Sequence, residues 1–217
     1  MLKPFRITIA FCLGVFVLCH AAVADAQNDN AEIAVLSDLS GSNPLLSNKQ
    51  FNERAKRYVL NELENLKKGT VVRLHYFGSL HATANFDDDI YEVKRHNLKA
   101  IKHNIGKAIS ELPTRMSPQG STNILALFSR SQFTCGNGNQ IIVLTDGIEA
   151  SEYISPDKLL SGEQSLPKPN EFVSLKGCKV TFFGLGVGRS DKEATTLRRQ
   201  WRDWFAAAGA EFKAVLL

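Results

Sequence analysis

Apolar and polar positions along this chain fall into blocks with two different periods. Ile33-Ala34-Val35-Leu36 and Ile141 to Leu144 are unbroken apolar runs. Short runs of this kind, bounded by turn residues, read as strands buried on both faces. Val71 to Phe77, Val180 to Leu185 and Glu211 to Leu217 predict three further strands. Helical spacing appears between them. Phe51, Ala55, Tyr58, Val59, Leu63 and Leu66 share one face of a helix over 45–66, which starts near Pro44 and ends at Gly69. A second helix, capped by Asn97, carries Leu98, Ile101, Ile105, Ala108 and Ile109 and stops at Pro113. After a loop from Thr114 to Gly120, a short helix covers Ile124 to Phe128. The last helix, Asp191 to Ala208, puts Leu197, Trp201, Trp204 and Phe205 on one face, and Gly209 ends it.

Two segments break the pattern. Residues 82–92 follow the second strand too closely for a helical crossover, so they predict a short antiparallel edge strand. Residues 148–176 hold Pro156, Pro167 and Pro169 and read as loop with room for one helical turn. Strand and helix otherwise alternate. That order predicts an α/β fold with a doubly wound, mainly parallel sheet, helices on both faces and one antiparallel edge strand.

The first 26 residues stand outside this pattern. Lys3 and Arg6 precede an apolar stretch, Ile7 to Ala24, interrupted only by His20. Ala22-Val23-Ala24 and Ala24-Asp25-Ala26 are small-x-small cleavage sites, so residues 1–26 read as a secretory signal peptide. The alternative is an uncleaved anchor, since about 18 apolar residues lie at the lower limit for a membrane span. With cleavage after Ala26 no span remains, no C-terminal anchor is expected, and one domain covers 31–217. The protein is then exported, to a periplasm or by secretion. Cys12 and Cys19 leave with the leader, and of the four cysteines only Cys135 and Cys178 remain. Two leftover thiols in an exported protein are expected to pair.

Composition adds limits. The 217 residues are 44% hydrophobic and 22% charged, ordinary for one globular domain with a real core. A net charge of +4, without a concentrated basic face, gives no reason to invoke nucleic acid. Nothing in the sequence sets an oligomeric state.

Candidate chemistry gathers at predicted strand ends. Asp38-Leu39-Ser40-Gly41-Ser42 follows the first strand and sets one carboxylate and two hydroxyls at alternate positions. Gly120-Ser121-Thr122-Asn123 lies in the loop before the short helix, and Thr145-Asp146-Gly147 ends the strand at 141–144. Ligands of open α/β sheets bind at the C-terminal ends of the strands. Hard oxygen donors in a compact set suit a small divalent cation, Mg²⁺ before Ca²⁺.

These three segments, in this order, resemble the metal-ion-dependent adhesion site of the von Willebrand factor A (vWA) domain family: Asp-x-Ser-x-Ser, a Thr in a Gly-rich loop, and Asp-Gly. The resemblance covers most of residues 31–217. It implies the Rossmann-like fold of that family and a single Mg²⁺, with Mn²⁺ or Ca²⁺ as possible substitutes. Ser40, Ser42 and Thr122 would hold the ion, with Asp38 and Asp146 bound directly or through water. Hydroxyl ligands leave the ion electrophilic, so an open coordination position can accept a carboxylate from a protein partner. Asn43 and Pro44 stand where the family more often has apolar residues. The strand order implied by the resemblance also makes the strands after Cys135 and Cys178 neighbours. A disulfide between them would then lie at the end of the sheet opposite the metal.

The competing function is a metal- or serine-dependent hydrolase using Asp38 or Ser40. A nucleophilic serine needs a base within reach. His20, His75, His81, His96 and His103 are the only histidines; none follows position 103, and no Gly-x-Ser-x-Gly elbow is present. The expected function is therefore binding, not catalysis. Other motifs read as structural. Gly184-x-Gly186-x-Gly188 lacks full dinucleotide spacing and is expected to be a loop near the site. Asp87-Asp88-Asp89 reads as a solvated turn, Trp201 and Trp204 as core, and His75 as a core histidine. Arg115 and Met116 read as exposed loop.

Overall fold

The computed structural model describes residues 31–81, 85, 89–130, 133, 135–136, 139–170 and 173–216. The leader at 1–26 lies outside them, as do Asp87 and Asp88 and the final Leu217. Six strands, β1 (Glu32–Asp38), β2 (Val71–Phe77), β3 (Asp89–Glu92), β4 (Gln140–Leu144), β5 (Lys179–Phe183) and β6 (Glu211–Val215), form one sheet in the order β3-β2-β1-β4-β5-β6. Strand β3 runs antiparallel to β2, and the other pairs are parallel. The sheet is doubly wound, as the alternation of strand and helix predicts. β1 lies between β2 and β4, so the winding reverses there, and the crevice above the β1 and β4 carboxyl ends is the topological switch point.

Helices α1 (Lys49–Glu62) and α2 (Leu98–Arg115) cover one face; α3 (Ile124–Arg130), α4 (Pro156–Ser161) and α5 (Asp191–Ala207) cover the other. Successive residues of a central strand serve both cores. Ile33 and Val35 pack with α1 and α2, whereas Ala34 and Leu36 pack with α3 to α5. Trp201 and Phe205 of α5 stack around Phe182 of β5, with ring centroids 5.2 and 5.4 Å apart. All three side chains are fully buried, and burial of a side chain of this size stabilises by about 1.5–3 kcal/mol. Trp201 and Trp204 are thus core residues, as their spacing predicts.

Element ends differ from the sequence pattern in several places, and the first helix stops at Glu62, short of Leu66 and Gly69. The first helix begins at Lys49, not near Pro44, because Asn48 caps it by accepting from the Gln50 and Phe51 amides. Residues 44–48 form a separate turn closed by the Asn48 amide on the Pro44 carbonyl. Helix α2 runs through Pro113 to Arg115; the proline gives up the bond to the Ile109 carbonyl, which accepts instead from Asn52 Nδ2 at 2.8 Å. Asn97 stands at its N-cap without a capping bond; its side chain instead accepts from the Lys94 amide and donates to the Glu92 carbonyl. Arg115 is therefore helical, and Met116 is half-buried against the α1/α2 core. His75 is half-buried rather than a core residue and lines a cavity of about 240 Å³ beside Phe77 and Arg130.

Cys135 and Cys178 are joined by a disulfide with 4.7 Å between their Cα atoms. Cys178 directly precedes β5, and Cys135 lies shortly before the adjacent β4. Both are at the amino ends of these parallel strands, opposite the crevice. Among the described residues no helix is long and apolar enough to cross a membrane.

Candidate metal centre

Asp38 is the last residue of β1, and its buried carboxylate is held by two local donors. The Ser40 amide donates to Oδ1 at 2.8 Å, and the Thr145 hydroxyl donates to Oδ2 at 2.7 Å. Ser40 is buried and Ser42 exposed, and their hydroxyl oxygens lie 3.3 Å apart. The Asp-x-Ser-x-Ser loop is then fixed from two sides. Gln119 accepts from the Gly41 amide at 2.9 Å and donates its own amide to the Leu39 carbonyl at 2.8 Å, joining this loop to the one that carries Thr122. On the other side Asn43 donates from Nδ2 to the carbonyls of Asp38 and Leu144, at 2.8 and 2.9 Å.

Thr122 and Asp146 complete the crevice. The Thr122 amide donates to the Ala150 carbonyl at 3.1 Å, and the Ala150 amide returns the bond at 2.9 Å. Asp146 follows β4; its Oδ1 accepts from the Ile148 amide at 3.0 Å. The turn after it needs glycine. Gly147 has φ of +76°, and a Cβ there would collide with Leu185. Trp201 fixes the same turn by donating Nε1 to the Gly147 carbonyl at 2.7 Å. The Gly184–Gly188 segment lies against the site as a turn, with the Gly186 amide donating to the Asp146 carbonyl at 2.8 Å.

Two oxygen atoms in this crevice stand out. Thr122 Oγ1 and Asp146 Oδ2 are fully buried, and neither has a hydrogen-bond partner. Buried polar atoms are nearly always satisfied. Ser37 Oγ and Trp204 Nε1 are orphaned as well, and what sets this pair apart is that a hydroxyl and a carboxylate oxygen stand on the loops at the carboxyl end of the sheet, where a cation would satisfy both. The electrostatics agree. Burial, then the neighbouring Asp146, pushes the Asp38 carboxyl up to about 7. Burial likewise raises Asp146, against the pull of the Ile148 amide, the Ser42 hydroxyl and the Arg189 guanidinium. Two carboxyls driven toward protonation at a site rich in hydroxyls form a donor set that a small hard cation would satisfy. Among the described residues no group of three or more His, Cys, Asp or Glu is placed to hold a metal, so hydroxyl donors would have to supply much of the coordination.

Of the five residues singled out in the sequence, Asp38 ends β1, and Ser40, Ser42, Thr122 and Asp146 lie on loops at the same end of the sheet. Their supports were not legible. Thr145 bridges Asp38 and the Gly147 amide, and Asn43 spans β1 and β4. Glu149, 1% exposed, accepts from the Ile124 and Leu125 amides at 2.8 and 3.1 Å. A cavity of about 930 Å³ opens beside Thr122, bounded by Leu80, Ser121, Asn123, Ala150 and Tyr153. Tyr153 is 80% exposed on its rim.

No family model matches this chain, and no curated protein matches it either. Solved structures similar to it include the manganese-loaded TRAP protein of Plasmodium vivax, at 17% identity and a TM-score of 0.43, over 78% of this chain and 63% of that one. Proximal thread matrix protein 1 from the mussel byssus, in two crystal forms, is 19% and 18% identical with TM-scores of 0.40 and 0.42, over 86% of this chain and 42% of its own. The chain therefore spans less than two thirds of each of these proteins. Likeness of that degree assigns neither family nor function, and the candidate centre rests on the geometry of its own five residues.

Proposed function

We propose that residues 31–217 are an exported vWA-type binding module that holds one Mg²⁺ through Ser40, Ser42 and Thr122, with Asp38 and Asp146 direct or water-bridged, and docks a carboxylate of a protein partner. The observation that carries this reading is the pair of unpartnered buried atoms, Thr122 Oγ1 and Asp146 Oδ2, at the topological switch point. A bound divalent ion would offer an electrophilic position to an acidic side chain. The chain's own residues orient the donors: Asn43 and Gln119 set the first loop, and Thr145 and Trp201 set the second. The cavity beside Thr122, with the exposed Tyr153 on its rim, gives a partner room to approach.

Export is supported by the leader pattern and by the disulfide, which suits an oxidising compartment. The non-enzymatic reading is supported by the sequence, which has no histidine after position 103 and no Gly-x-Ser-x-Gly elbow. A pull-down from the exported fraction with the purified protein, with and without chelator, tests the reading. Partners are expected in Mg²⁺ and lost in chelator; a partner held equally in both would contradict it. A hydrolase screen run with and without Mg²⁺ is expected to be blank.

A further inference from the structure

Helix α3 begins two residues after Thr122, and its own first residues do not cap it. Asn123 accepts the first helical bond, from the Leu127 amide, so it occupies the cap position. Its side chain is turned elsewhere, with Nδ2 donating to the Gly78 carbonyl at 3.1 Å. The free amides of the helix start are satisfied by Glu149, 25 and 24 residues away in sequence, whose Oε2 accepts from both Ile124 and Leu125. The next residue, Ala150, makes the reciprocal backbone pair with Thr122. Thr122 is thus fastened to the loop that follows Asp146 at two points.

We propose that Glu149 is a positioning residue for the metal centre: by capping α3 from the Asp146 loop, it fixes the Thr122 hydroxyl opposite the Asp146 carboxylate. A local Ser, Thr or Asp at position 123 would cap the helix as well. A cap borrowed from the other ligand loop does something that a local cap does not, because it ties the two donor loops together beside the Thr122–Ala150 backbone pair. The carboxyl is buried to make these bonds, and that burial pushes it up to about 7. Supports behind metal ligands commonly change affinity by about 10–100-fold when removed.

The inference rests on the proposed metal centre, and its test separates the two. Mn²⁺ is titrated calorimetrically into the full chain and into Glu149→Ala, Glu149→Asp and Glu149→Gln, with urea unfolding in chelator measured on each. Glu149→Ala is expected to bind at least about 10-fold more weakly as a folded protein. Glu149→Asp, a methylene short of the two amides, is expected to weaken binding in the same direction. Glu149→Gln keeps an oxygen acceptor for both amides and is expected to bind within about 3-fold of the parent chain, whatever its stability. If Glu149→Ala fails to fold, the Asp and Gln variants decide. Parental affinity in folded Glu149→Ala or in Glu149→Asp would overturn the proposal and leave the metal centre standing, as would a Gln variant as weak as Asp. Absence of binding by the parent chain would overturn both.

Discussion

Asn43 donates its side-chain amide to the Leu144 carbonyl at 2.9 Å, across 101 residues of sequence. The same nitrogen donates to the Asp38 carbonyl at 2.8 Å, so one buried side chain ties the ends of β1 and β4 where the sheet's winding reverses. Removing it would strip two buried carbonyls of a donor. Asn43→Ala is expected to cost about 1–3 kcal/mol of stability and to weaken metal binding. Urea unfolding of the metal-free protein measures the first effect; a loss under about 0.5 kcal/mol would show that this tie contributes little.

The buried carboxyls give the metal-free protein a particular pH dependence. Asp38, at about 7, and Asp146, raised in the same direction, hold protons in the folded state at pH values where an unfolded chain has lost them. The contribution of Asp38 to stability is therefore fully present below about pH 4 and lost as pH rises through about 7, and that of Asp146 is lost in the same direction. Asp38→Asn removes one of these titrations. In chelator, the melting temperature of the parent chain relative to Asp38→Asn is expected to fall between pH 4 and 8. A difference that stays flat over that range would contradict the assignment. Saturating Mg²⁺ is expected to stabilise the parent chain more at pH 8 than at pH 5.5, because the ion competes with protons for the carboxylates.

Reduction of the Cys135–Cys178 bond is expected to cost about 4 kcal/mol by the chain-entropy estimate for a loop of 43 residues. That is a large share of the ~5–15 kcal/mol typical of a domain. The bond joins the amino ends of β4 and β5, away from the crevice, so Mn²⁺ affinity of the folded, reduced protein is expected to be unchanged. Alkylation of the denatured, unreduced mature protein followed by mass spectrometry checks the bond. Two alkylated thiols would refute it and would also weaken the export reading.

Much of this molecule is legible from residue order. The unbroken apolar runs at Ile33–Leu36 and Ile141–Leu144 announce strands buried on both faces, and the short gap after Phe77 announces the antiparallel β3. Asp38, Ser40, Ser42 and Asp146 end or directly follow strands, so their placement follows once the strands are placed, whereas Thr122 lies in the loop before α3. What the sequence hides is long-range. Asn43 looks like a turn residue, and Glu149 looks like a solvent-facing acid in a loop; each acquires its role only from a partner many residues away. Helix ends were misplaced for the opposite reason. Pro44 and Pro113 are strong local signals, yet Asn48 starts α1 and the final turn of α2 accommodates its proline.

The central claim is that Thr122 and Asp146 hold one divalent ion, and a calorimetric Mn²⁺ titration of the purified chain beside Thr122→Ala and Asp146→Ala tests it most directly. One ion per chain is expected in the parent protein, with binding abolished in Asp146→Ala and weakened at least about 10-fold in Thr122→Ala. Both variants are expected to remain folded: Thr122 Oγ1 and Asp146 Oδ2 satisfy no other protein group, and Asp146→Ala takes one side-chain acceptor from the Ile148 amide. Equal Mn²⁺ affinity in the parent chain and in folded Asp146→Ala would contradict the account.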